Sequence, residues 1–178
     1  MTSTLQVQTL QGPTSGVDSN VIRIADGHNL HAKGHVVQFV SDINTSATSI
    51  STTSTTPVFS GIGVTITPKF IGSRIVVSFD TPVTSLTEVA DFGIRATLYD
   101  LLFNKLTEAF WINQTAQAGV LRVYQGLSLN YEAVTTSLTP LTFNIYFNTF
   151  GSGGTAGNTG FLRWVNTSIA LTATEIAQ

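Results

Sequence analysis

Hydrophobic and polar residues alternate along most of the chain, and this period-two pattern predicts β-strands rather than helices. In the stretch RIVVSFD at 74–80, Ile75, Val77 and Phe79 fall on one face. The stretch LTFNIYFNTF at 141–150 alternates more cleanly, with apolar side chains at every second position. Alternation combined with β-branched and aromatic residues is typical of half-buried strands. One face of each strand is therefore predicted to lie in a core. In the second stretch, the core face consists of Leu141, Phe143, Ile145 and Phe147, and the opposite face consists of Thr142, Asn144, Tyr146 and Asn148.

The same pattern recurs in short segments that are separated by glycines and by four internal prolines. One region, 86–110, has the Leu, Ala and Glu content of a helix, but Gly93, Ile94, Thr97 and Tyr99 favour a strand there. Many short strands with regular turn signals predict an all-β fold, an antiparallel β-sandwich or jelly-roll-like domain. The internal prolines that separate the segments are Pro57, Pro68, Pro82 and Pro140.

The chain is predicted to divide into two parts. Residues 1–34 are polar and too few to bury a core alone, so they predict an extended N-terminal assembly or attachment segment. Residues 35–178 then form the β-sandwich domain. Within it, the Thr-rich stretch at 44–57 fits an edge strand and a loop, and the glycine-rich stretch at 151–160 fits a long, exposed hairpin loop.

Charge is scarce in these 178 residues. Only 10% of them are charged, the formal net charge is -2, and the eight Lys and Arg residues are scattered singly. No basic stripe is present to neutralise phosphates, so nucleic acid is not an expected partner. No apolar run approaches the roughly 18 residues of a membrane span, and the first residues lack the basic and apolar regions of a secretion signal. Such a surface suits proteins that are covered by copies of themselves.

All three histidines lie in GHNLHAKGH at 27–35: His28, His31 and His35. Their spacing is within the range of metal ligands, but Gly27 and Gly34 break any helix and the chain has no cysteine. We therefore expect solvated or interface histidines and no metal or other cofactor. The remaining metal hypothesis is one histidine shared with its copies on the axis of a trimer.

Catalytic patterns are weak, and the sequence predicts that the protein is not an enzyme. It contains no nucleophile elbow and no phosphate-binding loop. Paired carboxylates would serve glycoside hydrolysis, as in a polysaccharide-degrading spike, but no acidic residue falls in a motif. The candidates are Asp80, Glu88, Asp91, Asp100, Glu108, Glu132 and Glu175.

Ligand contacts are better sought among aromatic and polar residues. Aromatic rings stack on sugars, and Asn or Thr neighbours hydrogen-bond hydroxyl groups. By their position in and after the glycine-rich loop, Asn158, Thr159 and Arg163 are the predicted receptor-binding residues. The aromatic candidates are Tyr99, Trp111, Tyr124, Tyr131, Tyr146 and Trp164.

Both ends of the chain resemble tailed-bacteriophage tail fibre proteins of the marine and cyanophage type. The resemblance rests on a QGPTSG opening, a Gly-His-x-Leu-x-Ala-x-Gly-His-Val-x-Gln segment, an Ile-Thr-Pro strand pair and a C-terminal Ile-x-Leu-x-x-x-Glu-Ile. Arg74 stands where the pattern often has Lys, and residues from about 80 to 160 match no motif. The matching segments are Gln11 to Gly16, Gly27 to Gln38, Ile66 to Val77 and Ile169 to Ile176.

The resemblance implies a homotrimeric virion protein of the tail that mediates attachment to a host surface glycan or protein. It implies that the N-terminal segment docks to other tail or baseplate proteins. Leu10, Pro13, Leu30 and His35 are the predicted assembly residues. The alternative hypothesis is a capsid decoration protein, or another head or tail structural protein, without a receptor-binding role.

Overall fold

A computed structural model of the protein describes residues 32–46, 48–87, 91–113, 121–152, 158–163 and 167–178. Ten strands lie within this described part. Their bounds are β1 Val36–Asn44, β2 Ile50–Thr52, β3 Val58–Ile66, β4 Arg74–Thr87, β5 Phe92–Asp100, β6 Lys105–Asn113, β7 Leu121–Val134, β8 Leu141–Phe150, β9 Gly160–Arg163 and β10 Ile169–Ile176.

The strands form two antiparallel sheets. Sheet A has six strands in the order β1-β10-β4-β9-β2, with β7 paired to the other edge of β4. Sheet B has four strands in the order β3-β8-β5-β6. The predicted all-β antiparallel sandwich is therefore confirmed. The region 86–110, which has a helix-like composition, contains the paired strands β5 and β6, as the sequence predicted.

The core lies between the two sheets, where the inward side chains of both meet. Ile75, Val77 and Phe79 of β4 are fully buried, and the inward residues of β8 and β10 face them. The alternation seen in the sequence thus divides core from surface correctly on these strands. In the described part of the chain, no helix is long and apolar enough to cross a membrane.

Two connections differ in how well they were predicted. The Thr-rich region at 44–57 contains β2, which is an edge strand paired with β9, as expected. The glycine-rich region at 151–160 is not a hairpin loop, because β8 belongs to sheet B and β9 to sheet A. It carries the chain from one sheet to the other, and residues 153–157 lie outside the described part.

Side chains of β1 connect the two sheets along one side of the sandwich. The Gln38 amide donates to the Thr67 carbonyl at 2.6 Å, and the Asp42 carboxylate accepts from the Gly63 backbone N–H at 3.0 Å. The Thr67 carbonyl and the Gly63 N–H thereby gain side-chain hydrogen-bond partners on β1. The edge of β1 is thereby held against β3.

A fully buried carboxylate, Glu175, fastens the end of β10 to the turn that connects β3 and β4. It accepts hydrogen bonds from the Ser73 hydroxyl at 2.5 Å and the Gln38 amide at 2.6 Å. The backbone N–H groups of Lys69 and Phe70 donate to it at 3.0 and 3.1 Å. A buried charge with this many donors is stabilised because its lost hydration is replaced.

The ionisation of Glu175 follows from these contacts. Burial alone raises the pKa of the carboxyl, but the hydrogen bonds from Ser73, Lys69, Gln38 and Phe70 outweigh it, so the pKa lies below its usual value. A pKa that is lower in the folded state gives stability that is complete above the unfolded value of about 4.3. That stability is lost as the pH falls through the folded value.

We expect the Glu175→Gln variant to lower the free energy of unfolding at pH 7 by about 2 kcal/mol. The glutamine amide replaces one acceptor oxygen with an NH2 group, which would face the buried N–H and O–H donors that Glu175 now accepts from. The contribution of Glu175 to acid destabilisation below about pH 4 should also disappear. Urea unfolding between pH 7 and pH 3 measures both effects. Glu132→Gln, at an exposed pair with Arg74 of 3.5 Å, is the matched control and should change stability by less than about 0.5 kcal/mol.

Candidate functional site

The regular pairing of sheet A is interrupted along one edge of β4. Phe161 of β9 pairs with Thr84, and Ala170 of β10 pairs with Asp80. From Thr84 to Asp80 is four residues, whereas from Phe161 to Ala170 is nine, because the chain leaves β9 and enters β10 between these two positions. We call this interruption between the two strands the gap; residues 164–166 of the connection lie outside the described part.

A shallow cavity, which we call the notch, lies beside the gap on the outer face of sheet A. Between the segments paired with β10 and β9, residues 81–83 of β4 have no strand partner on that edge among the described residues. Pro82 lacks a backbone N–H, which removes one donor that would otherwise need a partner. The notch has a volume of about 320 Å³ and is lined by Asp80, Thr81, Pro82, Gly126, Leu127, Ser128, Ser168 and Ala170.

The lining combines one carboxylate with hydroxyl groups and an apolar floor. Asp80 is exposed, and the hydroxyl of Ser128 on the neighbouring strand donates to it. Ser168 is also exposed. Gly126 leaves room, because a Cβ built on it meets nothing within 4 Å. Such a surface accepts hydrogen bonds from a polar ligand and offers apolar carbons to the ligand's C–H groups.

Buried side chains connect the strands on both sides of the gap. The Thr81 hydroxyl donates to the Leu162 carbonyl and ties β9 to β4. The Arg163 guanidinium donates from Nη1 to the carbonyls of Ser46 and Thr167, the latter at 3.1 Å. Arg163 ends β9 and Thr167 lies just before β10, so this hydrogen bond joins the two sides of the gap. The residues beside the notch thus form a hydrogen-bonded framework.

The predicted receptor-binding residues differ in how far their side chains are buried. Asn158 and Thr159 are half-buried in the segment before β9. Arg163 is fully buried, and its role as a receptor contact stays a prediction. Its guanidinium donates to the carbonyls of Ser46 and Thr167. The residues that line the notch were not proposed as ligand contacts, although Asp80 was considered as a catalytic carboxylate.

The other predicted positions are only partly described. Leu10, Pro13 and Leu30 lie outside the described residues, as do His28 and His31. His35 is exposed just before β1. No group of three or more His, Cys, Asp or Glu residues that could hold a metal ion occurs among the described residues. The assembly residues and the shared-histidine hypothesis stay predictions.

Each candidate carboxylate that the structure describes has its own hydrogen bond or ion pair, and no two share a partner within the described residues. Asp100 accepts from the backbone N–H groups of Leu102 and Asn104, at 2.9 and 2.8 Å. The Asn104 side chain contributes most to holding the pKa of Asp100 below its usual value. Glu88 lies outside the described residues. The remaining pairs are Asp80 with Ser128, Asp91 with Ser152, Glu108 with Lys105 and Arg95, Glu132 with Arg74, and Glu175 with Ser73 and Gln38.

The structure brings two of the predicted aromatic candidates together on the outer face of sheet B. Tyr99 and Tyr146 are in edge contact, with ring centroids 5.2 Å apart. Phe103 stacks on Tyr99 at 4.2 Å, and Phe59 lies 5.4 Å from Tyr146. Sequence analysis missed the two phenylalanines, since their proximity depends on the register between β3, β8 and β5. Trp111 is half-buried, and Tyr124 and Trp164 have no described side chain.

Fold and site together define the class of protein: an antiparallel two-sheet β-sandwich with a notch on one outer face, where β9 and β10 share an edge of β4. No protein-family model matches the chain. No curated protein matches it either.

Several solved virus structures are similar to this chain. The match to the infectious bursal disease virus VP2 subviral particle has a TM-score of 0.49 at 12% identity. It covers 94% of this chain and 38% of the virus chain. The Gx strain of that virus gives a TM-score of 0.40 at 18% identity, with the same coverage of 94% and 38%. The Gt strain gives 0.34 at 12%, with coverage of 93% and 46%. The chain thus spans less than half of the length of these proteins.

The buried position of Arg163 predicts its chemical reactivity. In the folded protein phenylglyoxal should modify Arg74 and Arg95, whose side chains are 39% and 38% exposed, and leave Arg163 unmodified. In denaturant all three should react. Peptide mass spectrometry before and after unfolding measures the extent of labelling. Modification of Arg163 at the rate of Arg74 in the folded state would contradict the burial of its guanidinium.

Proposed function

We propose that the protein is a non-enzymatic virion structural protein, a tail fibre or receptor-binding protein that attaches to a polyhydroxylated ligand on the host surface through the notch. The observation that carries the binding role is the composition of the notch. The Asp80 carboxylate and the nearby hydroxyl groups of Ser128 and Ser168 accept and donate hydrogen bonds, and Pro82 and Leu127 supply apolar contact. Sugars present this combination of hydroxyl groups and C–H faces.

The hydrogen-bonded framework beside the notch supports recognition rather than chemistry. A preformed site loses less conformational entropy when it binds. Asp80 hydrogen-bonds Ser128, and the other described acidic candidates of the sequence line other parts of the surface or core. Hydrolysis of a glycosidic bond would use two carboxyl groups on either side of that bond. The notch supplies one carboxylate, which suits binding.

The virion role is supported by the surface and by the sequence. With 10% charged residues and exposed apolar side chains on both sheets, the surface suits permanent contact with other proteins. The resemblance of both chain ends to tailed-phage fibre proteins favours a homotrimer in the tail. Residues 1–34 would then dock to tail or baseplate proteins. An open, shallow notch binds weakly, and several copies on one particle raise the overall avidity.

Binding through the notch predicts a specific pattern on an array of bacterial surface polysaccharides. The wild-type protein should bind at least one polysaccharide. Asp80→Asn should weaken that binding about tenfold or more, since it removes a charged hydrogen-bond acceptor. Gly126→Tyr should abolish it by filling the notch, because the position has space for a side chain.

Glu132→Gln is the matched control for these variants. Glu132 is an exposed carboxylate on β7, six residues from Gly126 and on the same strand. Its binding should equal that of the wild type, and thermal unfolding should show that all variants are folded. Binding that survives both notch variants would refute the assignment of the notch. An array on which the wild type binds nothing would refute the glycan as ligand.

A second candidate function is capsid decoration, which the exposed apolar side chains also favour, because a clamping protein buries such surfaces against its neighbours. Immunoelectron microscopy of particles with antibodies against this protein separates the two. A few labelled positions at the tail support attachment, and labelling over the head supports decoration. Purified particles without label would refute both.

A further inference from the structure

We infer that the apolar end of sheet B is the surface through which the protein associates with a second copy of itself. This inference rests on the proposed homotrimer and names the face that forms it. The apolar end consists of the turn residues Leu101 and Leu102, the adjoining aromatic rings of Phe103, Tyr146 and Phe59, and a cavity beside the turn.

The two leucines are presented to solvent to an unusual degree. Leu101 is 73% exposed and Leu102 is 81% exposed, at the tip of the turn that connects β5 and β6. Phe103 and Phe59 are each more than half exposed and continue the same apolar surface. Single exposed apolar residues are normal on proteins, but a contiguous group of this size marks a contact surface.

The turn holds these leucines in a fixed position. The Asp100 carboxylate accepts from the backbone N–H groups of Leu102 and Asn104 and from the Asn104 side chain, between 2.8 and 2.9 Å. The backbone N–H of Asp100 donates to the Asn104 carbonyl, and that of Phe103 donates to the Asp100 carbonyl. Five hydrogen bonds within one turn leave the leucines little freedom to fold back onto the core.

The backbone of Phe103 is strained to maintain this arrangement. Its φ of 63° lies in the left-handed region, which is a true outlier for a bulky side chain. The strain places the Phe103 ring flat on Tyr99, with an interplanar angle of 7°. Strain of this kind persists at functional sites, where the surrounding structure imposes it. The surrounding structure therefore holds the Phe103 ring in one position at the apolar end.

A cavity lies directly beside the protruding leucines. Its volume is about 240 Å³, and Leu102, Pro140, Leu141 and Phe143 are among the residues that line it. In a trimer, the leucines of one copy can enter the cavity of the next, while the leucines of the third copy fill its own cavity. Head-to-tail contacts of this kind form a closed ring when the rotation between copies is threefold.

The charges around the apolar end favour a second copy over other occupants. Asp100 is occupied by the donors of its own turn, and Lys105 pairs with Glu108 at 2.9 Å. Among the described residues that form the apolar end and line its cavity, none is a Lys or Arg that would attract anionic lipid headgroups or an acidic partner. A surface without free charge is complemented by another such surface, and this chain supplies one.

The test is the solution mass of the full-length protein, measured by light scattering over a range of concentrations. The wild type should be oligomeric, with three times the chain mass expected for the proposed trimer. The double variant Leu101→Ser/Leu102→Ser should raise the dissociation concentration by about tenfold or more. Both leucines are exposed, so circular dichroism should show an unchanged fold.

Ile43→Ser is the matched control, since Ile43 is 57% exposed on the outer face of sheet A. The inference is overturned if the wild type is monomeric, or if Ile43→Ser dissociates the oligomer and the leucine variant does not. It is also overturned if a monomeric wild type sediments with phosphatidylcholine vesicles and the leucine variant does not, which would make lipid the occupant. The polysaccharide array measures ligand binding at the notch and does not depend on self-association, so the two proposals can fail independently.

Discussion

The antiparallel pairing of β4 is the interaction on which the rest of the sandwich depends. Along one edge, β4 pairs with β7 over its whole length, from Arg74 to Thr87. Along the other edge it pairs first with β10 and then with β9. Its inward side chains, Phe79 among them, form the centre of the core. β9 and β10 share one edge of β4, and the notch lies beside the residues of β4 between them.

Two fully buried charges keep this arrangement in place without pairing with each other. Glu175, near the end of β10, collects N–H and O–H donors from the turn before β4. Arg163, at the end of β9, donates to the carbonyls of Ser46, in the loop after β1, and of Thr167, just before β10. A carboxylate gathers donors and a guanidinium gathers acceptors, so each fastens a loop to the sheet. In a chain with so few charges, these two have structural roles.

The two proposed roles, ligand binding and self-association, use different outer faces of the sandwich. Sheet A carries the polar notch, and sheet B carries the apolar end with its exposed leucines. Ligand attachment and self-association can therefore occur together, because they use different faces. In an oligomer built on sheet B, every copy keeps its notch accessible. Avidity then follows from the number of copies in one particle.

The sequence by itself determined the strands, their inward faces and the class of fold. Alternation along β4 and β8 is local information, since neighbouring side chains of a strand point to opposite faces whatever the strand pairs with. The gap between β9 and β10 could not be predicted, because it depends on which distant segments pair with β4. Arg163 shows the consequence: by position it was a candidate ligand contact, and the fold buries its side chain fully. Tertiary structure alone decided which strands share an edge, and therefore where Asp80, Ser128 and Ser168 meet.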